Sequence, residues 1–255
     1  MANPSLDVNV FLKNVHLFTD VTPNQAEIVI TRYNEPLDWT KDIAHLCTVY
    51  NKGPTPLPNY SFNKINNVPN RGLGIETILR HIILNYNSLA TVTFFCQGRV
   101  LDRQDQPLYP LEWYLLNVAT TDFKGVEDTL EDSPRFRITD KVSDNENART
   151  ANELTFGSFR KDIVGVSYRQ GFDKWVKGDW FSIGRDRIRA KPLAYYIGVY
   201  IRCEFQRGVI IEELWYLERS YHSMFNRPMD PFFKFTPPAQ REKELLEYLN
   251  QNYHG

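Results

Sequence analysis

Cysteine is scarce in this chain of 255 residues: there are three, Cys47, Cys96 and Cys203, each alone in apolar surroundings and without C-x-x-C spacing. That excludes a disulfide framework or a zinc ribbon, and the three read as small buried hydrophobes. Histidine is thin as well, with His16, His45, His81, His222 and His254 dispersed along the chain, so no histidine metal cluster is expected. No apolar run approaches the ~18 residues that a membrane span requires. The opening stretch, MANPSLDVNVFLKN, has neither a basic segment nor an apolar core. It does not read as a signal peptide, and a cytoplasmic location is the expectation. The highly specific catalytic signatures are missing too: there is no G-x-x-x-x-G-K-[ST], H-E-x-x-H, G-x-S-x-G or strand-linked G-x-G-x-x-G. An excess of one charge is also lacking, since 30 Lys and Arg against 31 Asp and Glu leave a net charge of -1. Nothing global points to nucleic acid.

Hydrophobic residues make up 42% of the chain, close to the globular average, and the length suffices for one large core. The neutral total hides an uneven distribution. Between Asp122 and Glu146 there are eight acidic residues against four basic ones, whereas between Phe156 and Lys191 nine Lys and Arg stand against four Asp. The basic segment suits either a phosphorylated ligand or an ordinary solvated face.

Residues 1–25 alternate weakly and read as an edge element before the turn at Pro23-Asn24. Short apolar runs bounded by turn residues, Glu27 to Thr31, Cys47 to Tyr50, Thr91 to Cys96 and Trp180 to Ile183, have the form of buried strands. Ile75, Ile78, Leu79, Ile82 and Ile83 share one helical stripe, so Ile75 to Leu89 is the clearest helix. Pro54, Pro56, Pro58 and the Asn-rich stretch to Asn70 read as loop. Further helices are expected at Leu111 onward, Pro192 to Glu204, Val209 to Phe225 (or a strand and a helix) and Arg241 to Tyr253. Residues 122–152 read as a mobile acidic excursion, with few apolar anchors after Asp128. The expected organisation is a single α/β domain over 26–235 with a mostly parallel open sheet flanked by helices, and a C-terminal helix over 236–255. In such sheets the ligand sits at the carboxyl ends of the strands, which places the site at Arg32 to Glu35, Asn51 to Gly53 and Gln97 onward.

Those boundaries carry polar clusters in a fixed order: Thr31-Arg32-Tyr33-Asn34-Glu35, Tyr50-Asn51-Lys52-Gly53, Pro69-Asn70-Arg71-Gly72-Leu73-Gly74-Ile75-Glu76 and Phe95-Cys96-Gln97-Gly98. Gly178-Asp179-Trp180-Phe181 through Arg187-Ile188 and Glu212-Glu213-Leu214-Trp215 follow. Together they resemble a family of fungal and bacterial proteins that share A-R-Y-N-E, Y-N-K-G, P-N-x-G-x-E, F-L-Q-G and E-R-L-W segments, over about residues 26–226. The pattern is also similar to nucleotide-sugar glycosyltransferases of the GT-A fold. That resemblance implies transfer of a sugar from a nucleotide-sugar donor to a hydroxyl acceptor, a glycan or glycoconjugate. It further implies donor contacts from Arg32, Tyr33, Asn34, Glu35, Asn51, Lys52, Arg71, Gln97 and Arg99, and acceptor contacts near Asp179. GT-A enzymes hold Mn²⁺ or Mg²⁺ with a D-x-D, whereas this chain has Asp102-Arg103-Gln104-Asp105, two carboxylates at spacing three. Either Asp102 and Asp105 hold the metal alongside diphosphate oxygens, or cations such as Arg71, Arg99 or Lys52 neutralise the leaving group without it.

For inversion a carboxylate must take the acceptor's proton. Glu212 is the first candidate and Asp102 the second, although Glu212 equally suits a helix start favoured by the macrodipole. Arg32 and Lys52 can instead pair with neighbouring carboxylates, and Arg71 to Gly74 is either an anion site at a helix start or a tight turn. Trp180 and Trp215 suit a sugar face or the core. The alternative function is a non-catalytic nucleotide- or carbohydrate-binding module.

Overall fold

The computed structural model describes residues 8–99, 109–135, 155–203, 211–231, 233 and 236–251. In chain order it contains helix α1 (Val8–Phe11), a 3₁₀ turn at Val15–Phe18, strand β1 (Ala26–Arg32), 3₁₀ turns over Asp38–Leu46, and strands β2 (Cys47–Asn51) and β3 (Lys64–Asn67). Helix α2 (Leu73–Asn85), β4 (Val92–Gln97), α3 (Leu111–Leu115), β5 (Phe123–Thr129) and α4 (Phe156–Phe159) follow. The chain then forms β6 (Lys174–Gly184), α5 (Arg185–Arg189), α6 (Leu193–Arg202), α7 (Ile211–Glu218), α8 (Tyr221–Asn226) and α9 (Ala239–Asn250).

Among the described residues the six strands form one sheet in the order β3-β2-β1-β4-β6-β5. β3, β2, β1 and β4 run parallel, while β6 is antiparallel to both β4 and β5. The α/β class and the flanking helices agree with expectation, and the sheet is mixed, with three parallel and two antiparallel pairings among the described residues.

Both faces of the sheet are covered, and the period-2 alternation of side chains sorts each strand between two cores. Ile28, Ile30, Val49, Phe94, Cys96 and Trp180 pack with Phe11, Phe18, Trp39, Leu111 and Tyr114 on one face. Val29, Tyr50, Phe95, Phe181 and Ile183 meet α2, α6, α7, α8 and α9 on the other. The stripe Ile75, Ile78, Leu79, Ile82 and Ile83 of α2 is buried throughout. At roughly 1.5–3 kcal/mol per aliphatic side chain, it is a principal reason for α2 to lie against the sheet. The three cysteines are buried thiols, as expected.

Three segments differ from expectation. Residues 8–18 form helical turns rather than an edge strand, because Phe11 and Phe18 seat into the core as isolated anchors. Within the Pro- and Asn-rich loop, Lys64–Asn67 pairs parallel to β2 as an exposed, polar edge strand whose backbone supplies the pairing. The start of the acidic excursion is β5, paired to β6; residues 136–154 lie outside the described residues. The basic segment is not one patch either. Arg160 is buried on Asp173 at 2.9 Å, Arg189 donates to Tyr86 O at 3.0 Å, and Lys191 donates to Met224 O and Arg227 O.

The strand order reverses beside β1: the chain leaves β1 toward β2 and returns through α2 to β4 on the other side. In register, Arg32 lies opposite Asn51, Asn51 opposite Asn67, and Thr31 opposite Gln97. The carboxyl ends of four parallel strands therefore finish level, around a crevice at the topological switch point.

Candidate functional site at the carboxyl ends of the parallel strands

The loop after β1 is built around Arg32. Its side chain is buried, and its guanidinium donates to Glu35 O at 2.8 Å, Asn51 Oδ1 at 2.6 Å, Thr55 O at 2.7 Å and Pro56 O at 3.3 Å. Charge-assisted bonds to fixed carbonyls are strong, so Arg32 staples the 33–35 loop to the 54–56 loop. Of the two expectations for Arg32, a donor contact or internal pairing, these four bonds are the internal one. Glu35 closes the same loop from the other side, accepting from Tyr33 N at 2.6 Å and Asn34 N at 3.1 Å through Oε2. Asn34 Oδ1 accepts from Thr55 N at 3.2 Å. The loops touch so closely that a Cβ on Gly53 would fall 1.5 Å from Tyr33 O. Only glycine fits there. Tyr33 is left 46% exposed at the rim.

The second cluster lies one layer deeper. Lys52 Nζ donates to Arg71 O at 2.8 Å, Leu73 O at 2.6 Å and Glu76 Oε2 at 2.9 Å, which takes all three of its N–H groups. Lys52 is thus also withdrawn from the expected diphosphate role; it pins the loop before α2 to the end of β2. Glu76, 1% exposed, accepts in addition from Arg80 Nε at 2.7 Å and Tyr200 OH at 2.7 Å through Oε1. Burial alone would raise its carboxyl, but Lys52 and Arg80 outweigh that and hold it below the usual carboxylate range. Burial likewise raises Tyr200, reinforced by Glu76, so the phenol stays a donor. Arg80 spans the helix layer: its Nη1 donates to Leu249 O at 2.8 Å near the end of α9, and its guanidinium stacks 5.1 Å over the Tyr248 ring.

The third element comes from β6. Its pairing with β5 shifts register between Gly125 and Glu127, and across that bulge Gly178 and Asp179 both adopt left-handed backbone, with φ of +75° and +63°. Phe181 pairs with Phe95, so the bulge arrives beside Gln97 at the end of β4. Glu218 Oε1 accepts from Gly178 N at 2.6 Å and fixes the bulge to α7. Asp179, 6% exposed, accepts from Tyr221 OH at 3.1 Å and Gln97 Nε2 at 3.4 Å. Its Oδ2 lies over the start of α2, where a Cβ on Gly74 would come within 2.2 Å of it. A negative charge at this helix start is thus supplied by the protein itself.

Beside the crevice, the 51–57 loop and Ile65, Asn67 and Val68 to Asn70 line a cleft of about 660 Å³. Proline, leucine, isoleucine and valine make its walls, with asparagine amides between them. Arg71 stands in the loop before α2 and exposed Arg99 just after β4. The structure brings together Arg32, Tyr33, Asn34, Glu35, Asn51, Lys52, Arg71, Gln97 and Arg99, but assigns Arg32 and Lys52 to internal ties. Asn51 is a tie as well, accepting from Arg32 and donating to Gly53 O and Asn67 Oδ1, each at 3.1 Å. Asp102 and Asp105 lie outside the described residues, as does the side chain of Glu212. Trp180 is core, 3% exposed, whereas Trp215 is 40% exposed, with Arg219 5.0 Å over its ring. Among the described residues no three His, Cys, Asp or Glu side chains converge as a metal group, and no helix is long and apolar enough to cross a membrane. Arg80, Tyr200 and Tyr221 are participants that sequence reasoning missed. The i,i+4 spacing of Glu76 and Arg80 was the available signal; the two tyrosines gave none.

Compared with family models the chain matches none, and no curated protein matches it significantly.

Proposed function

We propose that the protein is a glycosyltransferase that moves a sugar from a nucleotide-sugar donor to a hydroxyl acceptor, a glycan or glycoconjugate, on a GT-A-like domain. The observation that carries this is the meeting of the β1, β2 and β4 ends at the switch point, with a cleft of about 660 Å³ on one flank and Asp179 on the other. Apolar walls with a few amides suit a nucleobase and ribose. Arg71, in the loop before α2, and Arg99, just after β4, are the cations proposed for the diphosphate. In this proposal Asp102 and Asp105 would hold Mn²⁺ or Mg²⁺, which would neutralise charge on the diphosphate; among the described residues no three His, Cys, Asp or Glu side chains converge.

Isothermal titration against a panel of nucleoside diphosphates, with and without Mn²⁺, tests the proposal together with an assay for hydrolysis of the matching sugar nucleotides. Saturable binding of one diphosphate and slow hydrolysis of its sugar conjugate are expected. Silence across the whole panel in both assays would overturn it. The internal commitment of Arg32 and Lys52 favours one second reading, a binding module that holds the nucleotide or a carbohydrate without turnover. There, binding occurs, hydrolysis does not, and Glu212→Gln changes nothing measurable.

A further inference from the structure

The asparagine amides that line the cleft are not equivalent. Asn51, at the end of β2, is fixed from both ends of its amide. Arg32 Nη1, which can only donate, sits 2.6 Å from Asn51 Oδ1, and Gly53 O, which can only accept, sits 3.1 Å from Asn51 Nδ2. The usual ambiguity between the oxygen and the nitrogen of an amide is therefore removed. The second N–H of Asn51 Nδ2 donates to Asn67 Oδ1 at 3.1 Å, which orients the next amide in turn. With its oxygen turned to Asn51, Asn67 has only Nδ2 left for the cleft, and among the described residues no protein acceptor takes it. Asn70, on the same cleft, is held by no such relay, so its amide can turn either way.

We infer that Asn67 determines which base the cleft takes. It is a fixed donor that selects nucleobases with an oxo group on the edge remote from the ribose, uracil or guanine, over their amino counterparts, cytosine and adenine. This rests on the nucleotide-sugar reading above. The sugar and diphosphate belong at the switch point between β1 and β4, while the cleft is lined by the ends of β2 and of β3, the outermost strand on this side. The base therefore enters with its ribose inward and presents its far edge to Asn67. A carbonyl oxygen there accepts from Nδ2, whereas an exocyclic amine sets donor against donor. Asn67 cannot turn its amide to suit the amine without facing its own NH₂ to that of Asn51, which Arg32 and Gly53 O hold in place. Arg32 and Asn51 are thus positioning residues: a buried cation sets the polarity of a cleft wall that it does not itself line.

The test is calorimetric titration of wild type, Asn67→Asp and Asn51→Asp with UDP against CDP and GDP against ADP. For the ring size that binds, wild type should favour the oxo base by about tenfold in Kd, the worth of one hydrogen bond. Both members of a pair carry the same charge, so their ratio cancels the charge that each variant introduces. Asn67→Asp turns the fixed donor into an acceptor, and the preference should invert toward the amino base. Asn51→Asp gives Arg32 a carboxylate and offers Asn67 Nδ2 an acceptor. The Asn67 amide then turns over and presents Oδ1, and the preference inverts with Asn67 itself unchanged. A residue that only held the loop would weaken both members of a pair alike. Wild-type Kd values that are equal within both pairs, or lower for the amino base, would overturn the assignment while leaving nucleotide binding intact. So would an unmoved ratio in Asn67→Asp or in folded Asn51→Asp. If Asn51→Asp fails to fold, Asn67→Asp, at an exposed strand end, decides alone. Wild-type protein that binds none of the four would remove the underlying reading, and this assignment with it.

Discussion

The two halves of the sheet meet at the same crevice but are held in opposite ways. In the parallel half, β3-β2-β1-β4, the strand ends are tied by cations driven inward: Arg32 onto three carbonyls and an amide, and Lys52 onto two carbonyls and Glu76. In the antiparallel half, β6-β5, a left-handed bulge carries a carboxylate, and a phenol, an amide and a glutamate steady it. The lesson is that positive residues at a strand end need not be ligand-binding. In a loop-rich crevice the orphan carbonyls of the protein itself are anionic enough to claim them.

The sharpest way to break this contrast is Glu76→Ala, which strands Lys52 and Arg80 in the interior. Removing one partner of a buried ion pair costs about 3–5 kcal/mol, to be read as a lower midpoint in urea unfolding; a loss under about 1 kcal/mol would mean that water reaches the pair. The same residue has a pH signature. Its folded pKa lies below the unfolded value, so its stabilisation is complete above the ordinary carboxylate range and is lost as pH falls through the folded pKa. Glu76→Gln should flatten that acid limb of stability against pH, measured by thermal melts from neutral pH downward.

Next in size is Arg32→Ala. It leaves carbonyls of the 35 and 55–56 segments without a donor and should cost about 2–3 kcal/mol, because hydrogen bonds from charged groups contribute about 1.5–3 kcal/mol each and water replaces some of them. The proposed nucleotide cleft should weaken with it, since the 51–57 loop is one wall. Unchanged stability would show that the loops are held by something other than this guanidinium.

The smallest of these effects tests the contact between the halves. Gly74→Ala puts a methyl group 2.2 Å from Asp179 Oδ2, which must shift at a cost of about 1–3 kcal/mol. The loss should appear as a lower midpoint in urea unfolding, and an unchanged midpoint would show that the carboxylate moves aside without cost.

The same division explains what could be foreseen. β1, β2 and β4 are buried on both faces, so their apolar runs announce them, and the α2 stripe is a plain 3.6-residue pattern. β5, with Phe123-Lys124-Gly125-Val126-Glu127-Asp128-Thr129, is half-exposed and acidic and looks like loop until β6 pairs with it. β3 has one apolar residue, Ile65, and is made by backbone pairing with an amide hydrogen bond from Asn51 to Asn67 beside it. In the candidate site the residue types around the crevice were legible, because polar clusters at successive element ends mark where the chain turns. Their division of labour was not. Whether Arg32 and Lys52 face a ligand or their own chain depends on where carbonyls of residues 55, 56, 71 and 73 fall, and no local pattern encodes that. Tyr200 and Tyr221 reach Glu76 and Asp179 across 124 and 42 residues of sequence, which lies beyond any motif.

The bond from Arg80 to Leu249 O joins residues 169 apart in the chain, and it gives the C-terminal helix an electrostatic role. By covering Arg80 and Tyr200, α9 keeps the medium around Glu76 poor in water, and that medium sets how strongly Lys52 is gripped and hence how firmly the loop before α2 is held. The tail of the protein therefore acts as insulation for a charge network whose far end is the floor of the crevice. Lifting α9 would be felt at the site as a change of dielectric rather than a change of shape.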